Sequence, residues 1–68
     1  MTLIKKLDHE KRRLFNTLGA VLRDGSDRDF QFYSRTYVRA MADFMVEGFD
    51  VSKPMKDYKN YVQERYGR

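Results

Sequence analysis

Between Phe30 and Phe44 the apolar positions fall every third or fourth residue: Phe30, Tyr33, Tyr37, Met41 and Phe44, with Val38, Ala40 and Met45 at the margins. That period marks a helix that buries one side. Ser26 or Asp27 can cap its start, and Ser26 with Asp29 resembles a capping box with Asp in place of Glu. With Gly48 as its stop, the helix should run from about 27 to about 47.

Upstream, Ile4, Leu7, Leu14, Leu18 and Val21 follow the same alternation, with Lys11 in the missing step. Leu3, Phe15 and Leu22 widen this stripe. It predicts a helix from about 2 to about 23, capped by Thr2 and broken by "RDGSD", where Gly25 can take the left-handed conformation. Downstream, Pro54 fits the first turn of a third helix, with Ser52 or Lys53 before it. Met55, Tyr58, Val62 and Tyr66 give that helix a short apolar face from about 54 to about 66, ended by Gly67.

No strand alternation, internal repeat or low-complexity run interrupts the pattern. The expected fold is all-α: one compact three-helix domain over residues 1–68. Short links make the first two helices an antiparallel hairpin, with the third lying across its open side. The first stripe could instead pair with a second copy, making a homodimer. It spans under three heptads and holds a lysine, which disfavours a coiled coil.

Composition narrows the function. The chain has 68 residues and no cysteine, so disulfides, zinc–thiolate sites and thiol nucleophiles are excluded. Freedom from cysteine suits a reducing cytoplasm, the expected location. "MTLIKKLDHEKRR" holds no long apolar run, so neither a secretory signal nor a membrane span is expected. The net charge is +4, attractive to polyanions or acidic proteins. Bases dominate both ends, while residues 25–50 are slightly acidic.

Catalytic and metal motifs fail on inspection. "HEKRR" opens like a zinc-binding HExxH, but Arg13 stands where the second histidine must be, and His9 is the only one. "DGSDRDFQFYSR" fails as a calcium loop, with Asp29 at the glycine position and Arg35 at the final glutamate. Asp24, Asp27 and Asp29 read better as turn and cap residues. No glycine loop cradles phosphate. No catalytic residue, metal or cofactor is therefore expected, and the chain should not be an enzyme.

Two surfaces remain. Phe32 lies roughly 200° around the second helix from Phe30, so it cannot share the core face. Arg35, Arg39 and Val46 fall near the same outer direction, with Asp43 at its edge. An aromatic, two arginines and a valine are the residue types of a protein-binding face. The competing expectation is that the third helix covers Phe32. The second surface is basic. Lys5, Lys6, Arg12 and Arg13 repeat at seven on the first helix, and Lys56 and Lys59 lie on the third. These could contact nucleic-acid phosphates. Specific groove reading fits poorly, because the turn "GFDVSK" is long and bulky Phe44 sits where a helix-turn-helix wants a small residue. Tyr61, on the flank of the third helix, is a further surface aromatic. The leading expectation is a small binding protein, a regulator, inhibitor or adaptor acting on a protein partner. Nucleic-acid binding is the alternative.

Overall fold

The computed structural model describes residues 4–67. Three helices make up the all-α fold: α1 (His9–Asp24), α2 (Asp27–Val46) and α3 (Ser52–Tyr66). α2 follows its sequence pattern closely. The Ser26 hydroxyl accepts the Asp29 N–H at 3.2 Å, and two aspartates sit in the first turn, where the helix dipole favours them. Its end is marked by Gly48, which takes φ +94°, a conformation costly for other residues.

α1 departs from expectation. It starts at His9, and residues 4–8 are not helical. Thr2 and Leu3 lie outside the described residues. Asp8 is the cap: its carboxylate accepts the Lys11 N–H at 2.9 Å and pairs with Lys11 Nζ at 2.6 Å. The Lys11 side chain, then its backbone N–H, holds the Asp8 carboxyl below the usual range. Upstream, Lys5 N–H donates to Gly48 O at 2.9 Å and Asp50 N–H donates to Lys5 O at 2.7 Å. This ties the leading segment to the α2–α3 link through a single parallel bridge. Lys5 and Lys11 both place their ammonium groups over the Phe49 ring.

With Ile4 outside the helix, the buried side of α1 turns by roughly 60° from the predicted stripe. Phe15, Leu18 and Leu22 are buried, while Leu14 remains 41% exposed. Of the predicted stripe only Leu18 is fully buried, and Ile4 and Leu14 stay exposed. Gly25 also differs: its φ is −79°, not left-handed. A glycine is needed there for closeness, because an added Cβ would stand 2.6 Å from Val21 O.

The core lies where the three helices meet. Phe15, Leu18 and Leu22 from α1 pack on Phe30, Tyr37 and Met41 from α2, with Tyr58, Tyr61 and Val62 of α3 against them. Tyr61 is half-buried, so it is not the surface aromatic expected. Its ring lies over Gly19, where an added Cβ would meet the hydroxyl at 2.6 Å. That glycine lets α3 approach α1. Tyr37, 1% exposed, is the hub. Its ring meets Phe15 edge-on at 5.2 Å and stacks on Tyr58 at 5.5 Å, and its hydroxyl donates to Pro54 O at 3.0 Å.

Burial, followed by the negative fields of Tyr61 and Asp57, raises the Tyr37 pKa. A phenol that ionises near pH 10 when unfolded but stays neutral when folded favours unfolding once the pH passes that value. Stability should therefore fall above about pH 10, by up to about 1.4 kcal/mol per pH unit from this group. Tyr37→Phe should make the melting temperature less sensitive to alkali than in the parent. Equal sensitivity in both would show that other groups carry the effect.

Candidate functional site

α2 offers the exposed surface, because its other side is fully used by the core. Phe32 is 67% exposed and Val46 89% exposed. α3 therefore does not cover Phe32. Its ring leans edge-on against Tyr33 at 5.0 Å, which limits its freedom without hiding it. Arg35 and Arg39 are exposed between them. Among the described residues neither arginine makes an ion pair.

The structure extends this face in a direction the sequence pattern does not reveal. Ser34, Arg35, Val38, Arg39 and Ala42 of α2, with Tyr58 of α3, line an open cleft of about 430 Å³. Val38 and Met45, at the margins of the predicted core face, are about half exposed. Met45 lies three residues after Ala42 and seven after Val38, so it continues the same wall. On α3, half-exposed Met55 precedes Tyr58 by three residues, and Lys59 follows Met55 by four. Tyr61 faces α1 through Gly19, and Lys59 lies roughly 160° around α3 from it, on the side away from α1. The Ser34 hydroxyl is buried in this wall without a hydrogen-bond partner.

The basic residues are brought together only in part. Lys5 and Lys6 precede α1, so the expected heptad-spaced stripe with Arg12 and Arg13 does not form on one helix. Lys6 and Arg12 instead share a cleft of about 530 Å³ with Asn16, Asp50, Lys53 and Asp57. The charges there are mixed: Lys53 pairs with Asp57 at 3.1 Å, and Asp50 accepts the Ser52 hydroxyl at 2.6 Å. Hydrogen bonds from the Ser52 hydroxyl and then its N–H hold the Asp50 carboxyl below its usual range, so it stays anionic. Arg12 and Asn16 also line an adjoining shallow cleft with His9 and Arg13. Lys56 and Lys59 line neither cleft.

Among the described residues no group of three or more His, Cys, Asp or Glu is placed to hold a metal ion. Nor is any described helix long and apolar enough to cross a membrane. No protein-family model matches the chain, and no curated protein or solved structure shows significant similarity to it.

Proposed function

We propose that the chain is a small non-enzymatic binding protein, a regulator, inhibitor or adaptor, that engages a protein partner through the outer side of α2. One observation carries this reading: Phe32 and Val46 stand largely in solvent at opposite ends of a helix, with Arg35 and Arg39 unpaired between them. Aromatic and arginine side chains dominate protein-binding hot spots, and Phe32 reaches the core only through its edge contact with Tyr33.

Nucleic-acid binding by Lys5, Lys6, Arg12, Arg13, Lys56 and Lys59 has weaker support. Lys6, Arg12 and Arg13 line adjoining clefts, but Lys6 and Arg12 share theirs with Asp50 and Asp57, and Lys56 and Lys59 line neither.

Pull-downs from cytoplasmic extract with and without nuclease separate the two. A protein partner should survive nuclease. Phe32→Ala or Arg39→Ala should weaken its binding, each by about 2 kcal/mol if it is a hot spot. Reversing Arg12 and Arg13 should leave it unchanged. Capture that is lost with nuclease and with the Arg12 and Arg13 reversal would overturn the proposal in favour of the alternative.

A further inference from the structure

We infer that the segment taken by this surface is an amphipathic helix with acidic flanks, seated along the cleft between α2 and α3. The inference rests on the reading of α2 as the binding face, and adds what sits there and in which groove.

The floor and walls are apolar and shallow. Val38, Met45 and Met55 leave about half their surface in water, and Ala42 is exposed between them. Ser34 and Ala42, eight residues apart on one side of α2, are small enough for a second backbone to come close. The stretch of α2 that lines the cleft, Ser34 to Ala42, rises about 12 Å, and an incoming helix is about 10 Å across, so about two of its turns would seat there. An open trough between two helices suits this mode of recognition, read out by apolar anchors at i, i+3, i+4 and i+7.

The charge on the walls selects the occupant. Arg35 and Arg39 line one wall; helical phase puts Lys59 on the side of α3 away from α1, and no acidic side chain is among the residues lining the cleft, although Asp43 stands one turn beyond Arg39. Residues 25–50 are acidic as a whole, but Asp27 and Asp29 sit in the first turn of α2 and Glu47 and Asp50 follow its last residue, which leaves Asp43 as the acid of that segment nearest this wall. Glutamate or aspartate on both flanks of an apolar stripe would meet these cations, raising the association rate and rejecting basic competitors. A second copy of this chain would set four arginines, Arg35 and Arg39 of each copy, across a twofold axis with only Asp43 of each α2 to offset them. Nucleic acid fits poorly, because the surface between the cations is mainly aliphatic and offers Tyr58 as its one ring.

A display selection tests this. A library of about 20-residue helical peptides, randomised on all outward positions, is selected against the full-length protein. Enriched peptides should carry an apolar i, i+3/i+4, i+7 stripe flanked by Asp and Glu. Their affinity should fall at least tenfold on Val38→Arg, and likewise on Arg39→Glu combined with Lys59→Glu. It should stay within twofold on Arg12→Glu combined with Arg13→Glu, which makes a comparable charge change elsewhere. Circular dichroism confirms that each variant is folded. Basic or neutral enriched peptides, binding indifferent to Val38→Arg, or no enrichment would each overturn the inference. Peptides lost on Phe32→Ala and Val46→Ala but not on Val38→Arg would overturn the groove while sparing α2 as the binding face. A nuclease-sensitive partner in the pull-down would remove both.

Discussion

Phe32→Ala should melt within a few degrees of the parent, while Tyr37→Ala should melt far below it. The two residues sit five positions apart on one helix and differ in what surrounds them. Phe32 touches Tyr33 and little else, and exposed substitutions usually change stability by no more than about 0.5 kcal/mol. Tyr37 contacts Phe15, Tyr58 and Tyr61 and holds Pro54 O. Truncating a buried aromatic costs about 3–5 kcal/mol, from lost contacts and the cavity left behind. A domain of this size has about 5 kcal/mol or less in total, so the change consumes most of it. In domains of 60–100 residues each kcal/mol moves the midpoint by about 4–8 °C, so a thermal melt resolves the pair easily. Arg39→Ala should behave like Phe32→Ala. If Phe32→Ala melted as early as Tyr37→Ala, the outer side of α2 would be part of the core, and the binding assignment would fall with it.

The parts of the fold legible in the sequence are those fixed by local chemistry. Ser26 caps α2 because its hydroxyl reaches the Asp29 N–H whatever the rest of the chain does. The Phe30–Phe44 stripe is long, so its phase is unambiguous, and the opposite position of Phe32 follows. α1 was harder. Ile4 and Leu7 happen to keep the helical period across a segment that is extended, and only the cap Asp8 shows that the helix begins later. The signal in the sequence is a carboxylate three residues before Lys11, placed to accept its N–H. The rotation of the buried face depends on Gly19, which admits Tyr61 of α3. No pattern within α1 alone states that a glycine will meet a ring from another helix.

The same reasoning divides the candidate site. Arg35, Arg39 and Val46 follow from helical phase once Phe32 is placed. The cleft does not, because Val38 and Met45 sit at margins where burial depends on how near α3 lies. The spacing of α2 and α3 is set by Tyr58 and by Pro54, which takes the Tyr37 hydroxyl bond, and both contacts are tertiary. Lys5 and Lys6 depart from the pattern for the same reason as the start of α1: a helix extrapolated backwards carries its side chains onto a face that does not exist.

Arg65→Ala should cost about 2–3 kcal/mol, through the backbone more than through its ion pair. Its guanidinium reaches from α3 to the end of α1 and the start of α2. Nη2 donates to Gly25 O at 2.6 Å and Leu22 O at 3.2 Å, and Nη1 pairs with Asp27 at 2.6 Å. The group also lies over the Phe30 ring at 4.9 Å. Carbonyls at a helix end have no partner within their own helix, so a donor from another helix both satisfies them and pins the turn. Asp27 is the weaker half, since its side chain is largely exposed and surface ion pairs contribute little. Asp27→Ala should therefore cost under about 1 kcal/mol, including its loss from the first turn of α2. Arg65→Lys should recover only a fraction, because one ammonium cannot reproduce the planar fork that spans three acceptors. Salt separates the contributions further. At 1 M the surface pair is screened within about 3 Å, while hydrogen bonds to the carbonyls persist. The cost of Arg65→Ala should then survive in high salt, measured by urea denaturation with and without added sodium chloride. Equal losses for Asp27→Ala and Arg65→Ala, both vanishing in salt, would assign the effect to the ion pair and leave the α1 terminus without its cap from α3.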